Sequence, residues 1–231
     1  MEFVFQPAVV AAVPVAGSDE YFPVHRIYCV GRNYVEHAQE MGHSGREAPF
    51  FFMKPADAVL TVAPGTVGTM RYPNHTADLH HEVELVVAIG KAGQDIAAAD
   101  ALDHVWGYAV GIDMTRRDLQ AEAKKLGRPW DTGKAFDQGA PIGPIHRRAD
   151  TDLKPDAAIH LKVNGVMRQS SDIAKLIWNV AETIEVLSKY FELLPGDLIF
   201  TGTPAGVAAV SRGDLMEAGI DALGTLAVRL V

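Results

Sequence analysis

Short runs that alternate apolar and polar residues, or are wholly apolar, dominate this chain and predict more strands than helices. The predicted strands, bounded by Gly, Pro or Asn, cover residues 26–30, 50–53, 59–62, 82–89, 106–113, 159–163, 166–169, 198–201 and 225–230. Asn164-Gly165, between two of these runs, is a strong hairpin signal. Residues 129–144 follow no period.

Helices are predicted over residues 34–41, 97–104, 115–126 and 173–191, the last from apolar residues spaced three or four apart. Asn33 with Glu36, and Thr115 with Asp118, are interpreted as helix-capping pairs. Because strands outnumber helices and the connections are irregular, we predict a β-rich α+β fold. Residues 1–24 are expected to form an extended N-terminal arm, and residues 25–231 a single domain.

The composition describes an ordinary folded protein: 231 residues, 48% hydrophobic and 22% charged. A net charge of −8 without any basic run argues against nucleic acid as a partner. The apolar stretch at residues 7–17 lacks a basic start and contains prolines, and the run at residues 85–90 is too short to span a bilayer, so we expect no membrane partner.

The single cysteine, Cys29, cannot form an intramolecular disulfide and is interpreted as a buried apolar residue. Because a chain without disulfides is typical of a reducing compartment, we expect a cytoplasmic protein.

Three carboxylates are expected at strand ends. Glu82 and Glu84 lie two apart, so the period of a strand places them on one face, and Asp113 ends another apolar strand. Oxygen ligands without a cysteine cluster indicate a hard divalent ion, Mg²⁺ or Mn²⁺. The alternative is a solvated sheet face with Asp113 as a turn cap. His80 shares the glutamates' face and keeps a zinc site open, although three carboxylates suit a harder ion.

Other polar residues are candidates for catalysis or for substrate binding. His37 and Glu40 are three apart on a predicted helix, the arrangement of an oriented general base or of a surface ion pair. Lys134 lies in the segment without a period, where a lysine is either functional or merely solvated. Arg117 and Gln120 are three apart, and Arg117 can grip a carboxylate. The loop over residues 201–206 offers N–H groups to an anion or is only a glycine turn.

Six ordered segments together resemble the fumarylacetoacetate hydrolase family, from about residue 26 to the C-terminus. The likeness is closest to its small bacterial acylpyruvate hydrolases. The matching segments are Tyr28-Cys29-Val30-Gly31-Arg32-Asn33-Tyr34, Phe52-Met53-Lys54-Pro55, His81-Glu82-Val83-Glu84-Leu85, Gly111-Ile112-Asp113-Met114-Thr115, Gly133-Lys134-Ala135-Phe136 and Thr201-Gly202-Thr203-Pro204-Ala205-Gly206.

The resemblance implies a mixed β-roll or β-sandwich catalytic domain, a homodimer, and a Mg²⁺ or Mn²⁺ site. It implies roles for particular residues: metal ligands Glu82, Glu84 and Asp113; a water-activating pair, His37 and Glu40, on a helix that orders over substrate; and substrate contacts at Arg117, Gln120, Lys134 and Thr203.

The implied reaction is hydrolysis of a carbon–carbon bond in a 2,4-dioxo acid, with fumarylpyruvate as the leading substrate. Arg32 and Arg46 are candidates to meet its distal carboxylate. Two alternatives remain: decarboxylation or keto–enol isomerisation of a 2-oxo diacid such as oxaloacetate, and a non-catalytic metal-binding module.

Overall fold

A computed structural model describes residues 2–35 and 46–231. In chain order its strands are β1 (Ala12–Pro14), β2 (Tyr21–Pro23), β3 (Ile27–Gly31), β4 (Phe50–Lys54), β5 (Val59–Thr61), β6 (Val67–Met70), β7 (Leu79–His80), β8 (Val83–Ile89), β9 (Val105–Ile112), β10 (Thr115–Arg116), β11 (Ala140–Ile142), β12 (His146–Arg147), β13 (Ala158–Val163), β14 (Val166–Asp172), β15 (Leu198–Phe200), β16 (Ala209–Val210), β17 (Leu215–Ile220) and β18 (Gly224–Leu230). Its α-helices are α1 (Arg117–Leu126), α2 (Asp131–Lys134) and α3 (Val180–Tyr190), with 3₁₀ turns at Ala56–Ala58, Ala101–His104, Arg148–Asp150 and Ile173–Lys175. The β-rich α+β prediction is confirmed.

Two mixed sheets carry most of the strands. The larger runs β4-β3-β15-β8-β9-β11-β5, with β12 added beside β9, and the smaller runs β14-β13-β17-β18-β6. Side chains of β8 alternate between two apolar cores. Val83, Leu85 and Val87 are buried in the first core, to which residues of the smaller sheet also contribute. Val86 is buried in the second core. By the same alternation Glu84 lies on the face of Val86.

The N-terminal residues divide into two parts. Strands β1 and β2 pair as an antiparallel hairpin, and Val13 and Phe22 are buried in the second core together with Cys29. Residues 2–10, by contrast, are exposed. The burial of Cys29 agrees with its interpretation as an apolar residue.

Several local predictions are confirmed by the backbone. Asn164 and Gly165 both adopt positive φ, 51° and 77°, at the turn between β13 and β14. Gly127, with φ 62°, ends α1 in the left-handed conformation that favours glycine. Most of the predicted helix over residues 34–41 lies outside the described residues.

The helix predicted over residues 173–191 is wrong in its first third. The chain makes a 3₁₀ turn at Ile173–Lys175, and the α-helix begins only after Asn179, which forms a capping box with Glu182. Between them, the backbone N–H groups of Ile177 and Trp178 donate to Asn33, to its carbonyl oxygen at 2.8 Å and to its Oδ1 at 2.7 Å. Long-range hydrogen bonds therefore override the local apolar spacing.

Two smaller corrections concern helix starts. Thr115 does not cap α1, because it lies in β10 and donates its hydroxyl to the Asp113 carbonyl at 3.3 Å. The helix predicted over residues 97–104 is reduced to the turn Ala101–His104.

Among the described helices, none combines the length and the apolar character that crossing a membrane requires.

Candidate active site

Three carboxylates converge where the two central strands of the larger sheet meet. Glu82 directly precedes β8, Glu84 lies within it, and Asp113 directly follows β9. One oxygen from each lies within 4.8 Å of the others, and all three residues are buried, at 5%, 2% and 0% exposure. The burial excludes a solvated sheet face.

The backbone fixes this convergence. β8 and β9 pair antiparallel with Glu84 opposite Gly111, and the N–H of Asp113 donates to the carbonyl of Glu82 at 2.8 Å. Gly111 leaves room, because a Cβ there would lie 2.5 Å from Val86 Cγ2 and 2.7 Å from an atom of the Phe200 ring. The carboxylates therefore stand on a rigid, closely packed ladder.

The electrostatics of the cluster fit a divalent cation. Burial, followed by the charges of Asp113 and Glu82, raises the pKa of Glu84 well above its usual value. Asp113 Oδ1 is buried, and its ion-pair partner, the Lys54 ammonium nitrogen, lies 2.8 Å away. Three crowded oxygen ligands are the set that Mg²⁺ or Mn²⁺ prefers, so the cluster can hold such an ion. His80 does not belong to it, since its Nε2 lies 2.8 Å from Asp78 Oδ1.

Cations surround the carboxylates. Lys134 Nζ lies 2.8 Å from Glu82 Oε2 and 2.7 Å from Asp113 Oδ2, and the Arg117 guanidinium donates to Glu82. Burial lowers the pKa of Lys134, but Asp113 and Glu82 outweigh it, so the net shift is upward and the ammonium stays charged.

Lys54 completes this cation set and was missed by the sequence analysis. It ends β4, is 1% exposed, and places Nζ 2.8 Å from Asp113 Oδ1 and 3.1 Å from the Met114 carbonyl. Its segment belongs to one of the six matching motifs, but a lysine at a strand end gives no local sign that it will be buried beside a carboxylate.

The remaining predicted substrate residues line one pocket above the carboxylates. This pocket brings together Arg32, Arg117, Gln120, Lys134 and Thr203 with Glu82 and Glu84. Phe52, Lys124 and Trp130, which were not among the predicted site residues, also line it. The amide oxygen of Gln120 accepts from Arg117.

The loop after β15 closes one side of the pocket. The N–H of Gly202 donates to Glu84 Oε2 at 2.8 Å, so this loop does present an N–H to an anion, and the anion is the protein's own carboxylate. Gly202 has φ +102°, and a Cβ there would lie 2.6 Å from Asn33 Cβ. The Thr203 hydroxyl donates to the Val83 carbonyl at 2.8 Å.

Gln169 supports the site from the smaller sheet. Its Oε1 accepts from the N–H of Val83 at 3.1 Å and lies 2.9 Å from His81 Nδ1. Its Nε2 donates to Thr203 Oγ1 and the Pro204 carbonyl at 2.7 and 2.9 Å. The fully buried amide thus joins the strand of the two glutamates to the glycine loop.

Two sequence predictions about the outer part of the site have different outcomes. His37 and Glu40 lie outside the described residues, so their pairing stays a prediction. Arg46 does not line the pocket: its guanidinium stacks on Trp178, 4.2 Å from the ring centroid, and pairs with Glu182. The expectation that Arg46 meets a distal carboxylate is therefore not supported.

Known proteins resemble this chain along nearly its whole length. Residues 26–231 match the family described as fumarylacetoacetate (FAA) hydrolase C-terminal. The structure is similar to the crystal structure of fumarylpyruvate hydrolase from Pseudomonas aeruginosa in complex with Mn²⁺ and pyruvate, with TM-score 0.98 and 56% identity over 100% of this chain and 99% of that one.

Two curated relatives carry different activities. Fumarylpyruvate hydrolase of Ralstonia sp. is 43% identical over 182 residues, 79% of this chain and 92% of its own. A mitochondrial oxaloacetate tautomerase of Rattus norvegicus is 40% identical over 195 residues, 84% of this chain and 86% of its own.

Proposed function

This chain belongs to the fumarylacetoacetate hydrolase family, and on that premise we propose that it is a metal-dependent hydrolase that cleaves fumarylpyruvate into fumarate and pyruvate. The observation that carries the proposal is the buried cluster of Glu82, Glu84 and Asp113 beneath a pocket rich in cations. Support comes from the Pseudomonas aeruginosa hydrolase, which binds Mn²⁺ and pyruvate and is 56% identical.

Glu82, Glu84 and Asp113 would hold the cofactor, Mg²⁺ or Mn²⁺. When bound, such an ion supplies Lewis-acid stabilisation for the negative charge of the departing pyruvate enolate. In the substrate-bound enzyme, Arg117 and Lys134 face the carboxylate of the pyruvate half, and Lys134 also stabilises the oxyanion. Gln120 orients Arg117 through the hydrogen bond between them.

The hydrolytic step needs a base for water. His37, oriented by Glu40, takes a proton from water as the oxygen attacks the carbonyl of the acyl half. The carbon–carbon bond then breaks with its electron pair on the pyruvate fragment, and a proton reaches that carbon. The products are two acids, fumarate and pyruvate. Arg32 and Thr203 line the pocket in which the substrate lies.

A second candidate function uses the same three carboxylates. The tautomerase of Rattus norvegicus, at 40% identity, favours chemistry on oxaloacetate, either keto–enol isomerisation or decarboxylation. Both proceed through an enolate and need no attacking water. They differ from hydrolysis in requiring a four-carbon diacid instead of a seven-carbon one.

A substrate panel tests the assignment. We expect kcat/KM for fumarylpyruvate, measured by pyruvate release with Mn²⁺ or Mg²⁺, to exceed that for acetylpyruvate, and oxaloacetate to yield little CO₂ or enol exchange. EDTA should abolish pyruvate release and either metal should restore it. Faster turnover of oxaloacetate would move the assignment to the second candidate.

We also propose that the chain forms a homodimer in the cytoplasm. Five large apolar residues of the N-terminal segment are exposed by 63–99%: Phe3, Val4, Phe5, Val9 and Val10. Contact with a second copy would cover them, because exposed apolar clusters mark interfaces. Light scattering after size exclusion, with and without residues 2–10, tests this proposal; a full-length monomer would contradict it.

A further inference from the structure

One face of α1 leads outward from the carboxylates. Arg117, Gln120 and Lys124 are spaced by three and four positions, so their side chains share a face, and all three line the pocket. Arg117 is the inner member, in contact with Glu82, and Gln120 is buried beside it. Lys124 is exposed, one turn farther from the carboxylates.

Lys124 differs from the inner cations in its charge partners. Arg117 and Lys134 each pair with a carboxylate of the cluster. Within residues 2–35 and 46–231, no carboxylate forms an ion pair with Lys124 or with Arg32. These two residues line the same pocket and leave positive charge there for a ligand to neutralise.

Arg32 is held in place beside Lys124. Its backbone adopts the left-handed region, with φ 55°, and its guanidinium stacks on the Phe50 ring at 4.8 Å. Its Nε is buried and has no hydrogen-bond partner among the described residues. Burial and then the charges of Arg32 and Arg117 lower the pKa of Lys124, as neighbouring cations do.

The spacing along α1 is of the same order as the length of fumarylpyruvate. Seven residues at 1.5 Å rise place the backbone of Lys124 about 10 Å beyond that of Arg117. The two carboxyl carbons of fumarylpyruvate are separated by six carbon–carbon bonds, roughly 7–8 Å when extended. Oxaloacetate separates its carboxyl carbons by only three bonds, and acetylpyruvate has no second carboxylate.

We propose that Lys124, together with Arg32, binds the distal carboxylate of the substrate, so that α1 selects diacids by length. The inference rests on the proposed function and names the specificity-determining residue of that same pocket. Arg117 and Lys134 serve the proximal carboxylate, whereas Lys124 serves only substrates that carry a second one at the far end.

The neighbouring lysine provides a matched control. Lys125 has the same charge and is also exposed, but it does not line the pocket. We expect Lys124→Met to lower kcat/KM for fumarylpyruvate about 10-fold to 100-fold, mainly through KM, because one charge-assisted contact is lost. Acetylpyruvate turnover should stay unchanged, Lys124→Arg should retain most activity, and Lys125→Met should alter neither substrate. Equal losses on both substrates, or no loss on either, would overturn the proposal.

A binding measurement separates this inference from the reaction itself. Calorimetry on the Mn²⁺-loaded protein would compare 2-oxoheptanedioate with 2-oxoheptanoate, which has the same length but lacks the distal carboxylate. Wild type should bind the diacid about 10-fold to 100-fold more tightly, and Lys124→Met should remove that difference. Equal affinities in wild type would overturn the role of Lys124. Failure to hydrolyse any acylpyruvate would instead overturn the proposed reaction and leave this readout intact.

Discussion

The inner carboxylates stand on two central strands, whereas the outer cations stand on one helix and on the chain after β3. Glu82, Glu84 and Asp113 are fixed by a continuous ladder of paired backbone groups. Lys124 is exposed at the outer end of the pocket-lining face of α1, and Arg32 is fixed mainly by stacking on Phe50. We call the three carboxylates the floor and the two outer cations the mouth.

The comparison shows that metal binding and substrate selection depend on different parts of the structure. The floor needs fixed spacing, because a divalent ion tolerates little displacement of its ligands. The mouth needs only charge at a suitable distance, which long side chains supply while remaining adjustable. A change in the floor should therefore affect every substrate, and a change in the mouth should affect only some of them.

Removing a floor carboxylate should have the largest effect. We expect Asp113→Ala to abolish detectable pyruvate release and calorimetric Mn²⁺ binding, because one ligand is lost while Lys54 and Lys134 stay buried beside the gap. Glu122→Ala, at an exposed carboxylate of α1, is the control and should change neither. Retained Mn²⁺ affinity in Asp113→Ala would show that the floor is not the metal centre.

Removing the predicted water base should separate activation of water from metal binding. His37→Ala should lower kcat by about 10²–10⁴-fold, the usual contribution of a general base. Its Mn²⁺ affinity should match wild type, in contrast to Asp113→Ala. A kcat within about twofold of wild type would mean that hydrolysis uses another base.

Adding a side chain at Gly111, opposite Glu84 in the sheet, should lower stability. Gly111→Ala places a Cβ 2.5 Å from Val86 Cγ2, and we expect a loss of about 1–3 kcal/mol in urea unfolding. Gly143→Ala is the matched control, because its Cβ would meet its nearest atom, the Val110 carbonyl oxygen, at an ordinary 3.7 Å. Equal stability of both variants would contradict the close packing between Gly111, Val86 and Phe200 beside Glu84.

The smallest effect concerns the ion pair that holds Arg46 outside the pocket. The side-chain hydrogen bond from Arg46 lowers the pKa of Glu182, so this pair adds stability above the unfolded pKa and loses it as pH falls through the folded pKa. The pair is partly exposed, so Glu182→Gln should lower stability at pH 7 by less than about 1 kcal/mol. Wild type and variant should converge in thermal unfolding near pH 3. A difference that grows on acidification would contradict the sign.

The residues of the floor could be predicted from the sequence because each has a local pattern, whereas their convergence depends on the pairing of β8 with β9. Two-residue spacing places Glu82 and Glu84 on one strand face, and Asp113 marks the end of an apolar run. The Asn164-Gly165 hairpin is equally local. Each needs only the residues beside it.

The side chains that contact the floor and its strand could not be predicted in this way, because they are distant from it in sequence. Lys54 reaches Asp113 across the sheet, and Gln169 reaches Val83 from the other sheet. The same reason explains the wrong helix start, since residues before Asn179 bond to Asn33 instead of extending the helix. Arg46 and Lys124 show that charge alone does not reveal which cation faces the pocket.

The buried amide of Gln169 has a consequence for how the molecule unfolds. It comes from the smaller sheet, yet it binds the amide of Val83 in the larger one and the loop after β15. Separating the two sheets would leave this amide and the Val83 N–H without partners in an apolar interior. We therefore expect the two sheets to open as one cooperative unit, so that hydrogen exchange at Val83 reports global unfolding and not a local fluctuation of the site.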